Sequence, residues 1–262
     1  MNKDIEIYKE LVTFCNNNKE KIESKFDREV KFNEFNERCF EEMYLNLRKE
    51  PAPIAPKMLK EKVEGLTECY KKMGFRFMRK RNEMIKGLDI QLGQWYEKAF
   101  QFFLEEKGII ITKKGHPFPD FEVQSDSGKA IAYCEMKFIK APFMNAHNLV
   151  KNTFPYNSKR YDYECSLTLD TGKKLQSQRT KYEEDIKPQR IPFYYIWWFD
   201  APHLKGIFFM NADDVYEYWD QVGTLHEREA REGDQIAKQI KGKIYPPLLK
   251  MDSISSLLQN FS

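Results

Sequence analysis

Ten residues, Ala130 to Ile139 (AIAYCEMKFI), constrain this chain more than any other stretch. Apolar side chains occupy both parities of the run, as they do in a strand covered on both faces. Such a strand needs a layer above it and a layer below, which predicts an α/β or α+β core and not a helical bundle. Two residues interrupt the pattern. Period-two geometry puts Glu135 and Lys137 on one face, with Tyr133 and Ile139. A carboxylate and an ammonium in that position are strongly disfavoured unless paired, metal-bound or hydrated in a cleft.

The flanking sequence supplies the layers. From Leu88 onward Leu92, Trp95, Tyr96, Ala99, Phe100, Phe103 and Leu104 form a helical stripe, and Gly108 sits where a C-cap glycine belongs. Ile109 to Thr112 and Phe121 to Gln124 read as strands, and Ser125 to Gly128 as the turn into the central strand. A polar and aromatic insert over 140–171 follows. Gly172 to Ile186 then reads as a helix closed by Pro188, and Phe193 to Phe199 and Ile207 to Met210 as two more strands. Asn211 is placed to cap a helix from Ala212. Residues 1–50 carry two helical patterns, Pro51 to Pro56 an extended connector, and 57–72 a further helical composition ended by Gly74. Leu225 to Lys241 also reads as a helix. The expected organisation is a helical region over 1–86, a core over 87–212 holding the insert, and a C-terminal helical segment over 213–262.

Composition removes several function classes. Lys and Arg total 43 against 40 Asp and Glu, a net of +3, which excludes histone-like and acidic-tail proteins. Five cysteines, widely spaced and without a CxxC pair, and four scattered histidines indicate neither a disulfide framework nor a zinc module. A reducing cytoplasm is the expected location. The opening MNKDIEIYKELVTF is charged and amphipathic with no apolar leader. The longest apolar stretch, Ile191 to Phe199, is about half the ~18 residues of a membrane helix, so no membrane association is expected.

Glu-x-Lys occurs four times, so the tripeptide alone carries no weight. Only Glu135-Met136-Lys137 lies in a buried strand. The chain's only Pro-Asp dipeptide, Pro119-Asp120, opens the preceding strand, and a hairpin would bring Asp120 beside Glu135. Two carboxylates ~4 Å apart repel by roughly 1–4 kcal/mol at effective dielectrics of 80 to 20. A divalent cation turns that repulsion into coordination, and carboxylate, water and phosphate oxygens are the ligands Mg²⁺ prefers. His116, before Pro117, reads as a loop residue and not as a general base.

Pro119-Asp120 followed by Glu135-x-Lys137 on the next strand resembles the PD-(D/E)xK nuclease superfamily, which includes restriction endonucleases and RecB-like nucleases. Gly93 to Glu97 (GQWYE) resembles its GxxxE element, and Gln178 to Tyr182 (QRTKY) the QxxxY element of the RecB-like branch. The resemblance covers roughly 88–210. It implies a restriction-endonuclease-like αβββαβ core with a mixed sheet, extended by helices at both ends. It also implies Mg²⁺ held by Asp120, Glu135 and the carbonyl of Met136. Lys137 would orient or help deprotonate the attacking water, and Glu97 would complete a second metal site or fix metal-bound water.

The implied substrate is double-stranded DNA. Arg76, Arg79, Lys80 and Arg81 form an acid-free cluster. Between Ile139 and Lys181 there are eight Lys or Arg against three Asp or Glu, in a chain otherwise near balance. Lys151, Lys159, Arg160, Lys173 and Lys174 belong to this excess and, with Gln178 and Arg179, are candidate DNA contacts. A compact single chain without a GxxxxGK[ST] motif, with added helices and an insert able to read a site, favours a sequence-specific type II restriction endonuclease, and the resemblance to such enzymes implies a homodimer on palindromic sites. A RecB-like exonuclease or repair nuclease is one alternative, and a non-catalytic DNA-binding module on the same fold is another.

Overall fold

The apolar spacing that opens the chain forms helix α1 (Lys3–Asn17), whose first turn is capped by Asn2 accepting from the Asp4 amide at 2.9 Å. The computed structural model describes residues 2–22, 28–49, 61–69, 71–72, 88–115, 118–139, 169–170, 173–223, 226–228, 241–244 and 246–262. Helix α2 (Glu34–Phe40) starts in a reciprocal cap between Asn33 and Asn36 and runs on through a π-helical turn, Glu41–Asn46. Helix α3 (Leu88–Glu106) ends at Gly108, whose φ of +79° only glycine adopts without strain.

Strands β1 (Ile110–Lys113), β2 (Phe121–Gln124) and β3 (Ala130–Ile139) follow as an antiparallel meander. After β4 (Leu169–Asp170), helix α4 (Lys173–Lys181) continues through Tyr182–Ile186 as a π turn and Lys187–Gln189 as a 3-10 turn. It leads to β5 (Phe193–Asp200), which lies parallel to β3 with Glu135 opposite Tyr195 and Lys137 opposite Trp197. Strand β6 (Lys205–Asn211) returns antiparallel, and α5 (Ala212–Val222) begins under the Asn211 cap, 3.0 Å from the Asp213 amide. Then come β7 (His226–Arg228), β8 (Lys241–Ile244), β9 (Asp252–Ser253) and α6 (Ile254–Asn260). The sheet order β1-β2-β3-β5-β6-β9 is mixed, and helices cover it: an α/β architecture.

Each face of the sheet has its own apolar layer. Cys134, Met136, Tyr194, Ile196 and Trp198 pack with Tyr8 and Leu11 of α1, Trp95 to Leu104 of α3 and Leu257 of α6. Phe193, Tyr195, Trp197, Phe208 and Met210 pack with Phe40 of α2, Leu175 and Tyr182 of the α4 segment, and Val215 and Tyr216 of α5. Helices α1 and α2 therefore lie on opposite faces, and residues from the 1–86 region build both cores. The Asp4 carboxylate also accepts from the Ser255 amide at 2.9 Å, capping the start of α6, where Ser253 makes no side-chain cap.

The C-terminal segment departs from expectation. Leu225 to Lys241 does not form one helix, because His226–Arg228 is β7 and Lys241 opens β8. These strands pair antiparallel, His226 opposite Lys243, and β4 joins them in a three-stranded sheet. Ile244 at the end of β8 is fully buried in the aromatic layer, and strand pairing plus that burial override a charge-rich, helix-like composition. Among the described residues no helix is long and apolar enough to cross a membrane. Pro51 to Pro56, Gly74, His116 and the insert apart from Leu169–Asp170 lie outside the described residues.

Candidate active site

The site forms where β2 stops and β3 continues. Phe121, the first residue of β2, is opposite Cys134, so the next inward-pointing donor on that edge, the Met136 N–H, has no strand to bond. Asp120 takes it: Oδ2 accepts from the Met136 amide at 2.7 Å. The two polar groups of one strand residue project to the same edge, so the Met136 carbonyl is directed toward Asp120 as well. Pro119 before it follows Phe118, whose ring packs 5.0 Å from that of Phe193.

Glu135 is 2% exposed in the middle of this face. Its Oε1 accepts from Lys137 Nζ at 2.5 Å and from Gln178 Nε2 at 2.8 Å. Among the described residues its buried Oε2 has no partner. Burial pushes the Glu135 carboxyl above the usual carboxylate range, the Lys137 ammonium pulls it back, and the Asp120 charge adds to the rise. Burial acts to lower the Lys137 ammonium, yet the Glu135 and Asp120 carboxylates outweigh it and hold it above its ordinary value. Lys137 is therefore a cation at neutral pH, tied to both acids.

The donor set suits a hard divalent cation. A buried carboxylate oxygen with no donor among the described residues is costly, and a second carboxylate is pinned to the amide of the adjoining residue. Among the described residues no three His, Cys, Asp or Glu side chains converge as a metal cage, so any ion held here would complete its shell with water or substrate. Glu97 does not form a third carboxylate ligand with the other two. It lies on α3 and accepts from Lys113 Nζ of β1 at 2.7 Å, although its charge still contributes to raising Lys137.

The remaining expected site residues divide. Gln178 is brought directly to Glu135. Lys174 is exposed on the first turn of α4, and its charge favours the ionised form of Glu135. Arg179, expected to contact DNA, is engaged within the molecule: Nη1 and Nη2 bond Asp220 at 2.5 and 2.8 Å, and Nε bonds Glu183 at 2.8 Å. Lys173 opens α4. Arg76, Arg79, Lys80, Arg81, Lys151, Lys159 and Arg160 lie outside the described residues.

Two residues at the site escaped sequence reasoning. Tyr195 Oη donates to Gln178 Oε1 at 3.3 Å and is 2.8 Å from Tyr216 Oη. Tyr195 belongs to an aromatic run that reads only as core, and the one usable signal was its parity: strand pairing sets it opposite Glu135. Tyr216 gives no local signal.

A second buried acid, Asp200 at the end of β5, contrasts with Glu135. Its Oδ1 accepts from Lys205, and its Oδ2 from Arg28 and, at 2.6 Å, from the Tyr96 hydroxyl. The Arg28 guanidinium also lies 4.6 Å from the Tyr96 ring centroid. Neither oxygen is open.

No family model, no curated protein and no solved structure matches this sequence.

Proposed function

We propose that this chain is a Mg²⁺-dependent DNA endonuclease of the restriction-endonuclease-like kind, with Asp120, Glu135 and Lys137 as its catalytic centre. The observation that carries the reading is the open Oε2 of buried Glu135, on the same face as a lysine and next to an aspartate bonded to the intervening residue. The element order adds support. Helix α3, the β1–β3 meander, α4 and a β5 parallel to β3 follow the αβββαβ sequence of that superfamily.

In this reading Asp120, Glu135 and the Met136 carbonyl hold the cation. When bound, it supplies Lewis-acid polarisation of the scissile phosphate and makes water more acidic. Lys137, kept protonated by both acids, orients water and offsets charge developing on the phosphate. That favours orientation over deprotonation as its part. Glu97 is placed to reinforce Lys137 electrostatically. Lys174, exposed on α4 and acting electrostatically on Glu135, is proposed to meet the DNA backbone. The Arg76–Arg81 cluster, Lys151, Lys159, Arg160 and Lys173 are proposed as further contacts on sequence grounds alone. A homodimer acting in the cytoplasm completes the proposal, and light scattering checks the dimer.

The deciding measurement is Mg²⁺-dependent cleavage of mixed plasmid DNA by the parent and by Asp120→Asn, Glu135→Gln and Lys137→Ala. The parent should give discrete fragments and each variant almost none. Parental cutting by all three variants would remove the site. The Gln178–Glu135 bond favours a second reading, a RecB-like exonuclease. Closed circular DNA separates the two, since an exonuclease leaves it intact. A parent that binds DNA and cuts neither form would be a non-catalytic module.

A further inference from the structure

An ionised carboxylate only accepts hydrogen bonds, so Gln178 meets Glu135 Oε1 through its NH₂ group. That fixes the amide: Nε2 faces Glu135 at 2.8 Å and Oε1 faces Tyr195 Oη at 3.3 Å. Tyr195 has one hydroxyl proton and gives it to Gln178. In its 2.8 Å bond with Tyr216 it therefore accepts, and Tyr216 donates. Four side chains from α5, β5, α4 and β3 thus form one directed chain, from Tyr216 through Tyr195 and Gln178 to Glu135. All four residues are buried, so water does not readily replace a missing member. Burial lifts both phenols above their ordinary range, and both keep their protons at working pH.

We propose that Tyr195 and Tyr216 are positioning residues that lock the Gln178 carboxamide with its NH₂ on Glu135 Oε1, and so keep Oε2 open for a divalent cation. The inference rests on the cation-site reading of Asp120 and Glu135, and extends it to two tyrosines that touch neither cation nor substrate. Without the Tyr195 hydroxyl, the amide is free to turn over. Its carbonyl then opposes the carboxylate, two acceptors meet, and Glu135 rotates out of line with Asp120. Lys137 still holds Oε1, so the loss is partial.

The test is calorimetric titration of Mg²⁺ into the full chain at one pH and without DNA. The parent, Tyr195→Phe, Tyr216→Phe, Gln178→Leu and the Tyr195→Phe/Gln178→Leu double variant are compared. Tyr195→Phe should weaken Mg²⁺ binding about tenfold, the lower end of what outer-shell partners contribute to metal affinity. Tyr216→Phe should weaken it less. The double variant should bind no worse than Gln178→Leu alone, because both changes cut one chain. Metal-free melting temperatures of the phenylalanine variants should stay within a few degrees of the parent. Parental affinity in Tyr195→Phe beside a weakened Gln178→Leu overturns the tyrosines' part, and additive losses do so too. If Tyr195→Phe does not fold, Tyr216→Phe decides by the same criterion: weakened binding upholds the chain and parental affinity overturns it. A parent that binds no Mg²⁺ overturns instead the cation-site reading beneath it.

Discussion

Glu135 and Asp200 are both buried acids, on neighbouring strands of one sheet, and their surroundings are opposite. Asp200 has donors on each oxygen, from Arg28, Lys205 and Tyr96, and two cations flank it. Glu135 has both its donors on a single oxygen and a second carboxylate within electrostatic reach. A saturated buried acid ties strands and loops together. An acid left half-satisfied beside another acid stores unfavourable energy that a bound cation relieves, and this distinguishes a site from a strut.

Removing either acid is the sharpest way to break the contrast. Asp200→Ala leaves the buried Lys205 and the largely buried Arg28 without a counter-charge and should cost about 3–5 kcal/mol in urea unfolding. Glu135→Gln should lower Mg²⁺-dependent cleavage by about 10²-fold or more, following the scale set by metal ligands and their partners. Its metal-free stability should stay within about 1 kcal/mol of the parent, because a neutral amide removes a desolvated charge. Equal destabilisation by the two variants would erase the distinction.

The Asp200 end of the sheet should also reveal itself through pH. His203, in the turn between β5 and β6, is fully buried, and burial pushes its imidazole down to about 3. The unfolded chain then binds the proton that the folded chain refuses. Stability should fall on acidification from about pH 6.5 downward, by about 1.4 kcal/mol per pH unit while only the unfolded form is protonated. His203→Asn should flatten that slope, as followed by urea midpoints across pH. The smallest effect is expected at the Lys114–Glu122 pair, 2.7 Å apart near the site, where the Lys114 side chain is 43% exposed. Lys114→Met should change stability by less than about 1 kcal/mol in the same assay. A larger loss would mean that this pair shares the structural character of Asp200.

How far these features could be read in advance depended on range. Phe121–Gln124 and Ala130–Ile139 stand where the strand readings and the Ser125–Gly128 turn put them, and Asn211 caps α5 as its position announces. Asp120, Glu135 and Lys137 come together because a short hairpin forces it. The Gln178 contact joins residues 43 apart, and Arg28 meets Asp200 across 172. Nothing local encodes such partners. Leu225 to Lys241 was misleading because abundant charge marks solvation as readily as it marks a helix. Arg179 read as a candidate DNA contact for the related reason that one of its acids, Asp220, lies 41 residues away on α5, although the other, Glu183, is only one helical turn along.

The bond from Asp4 to the Ser255 amide has a consequence for biosynthesis. It spans 251 positions, so α1 leaves the ribosome long before the helix it caps exists. Throughout elongation the apolar side of α1 waits without that neighbour, exposed to chaperones and proteases. Nascent chains stalled before Ser255 should stay digestible at α1, and this layer should become resistant only once α6 has emerged.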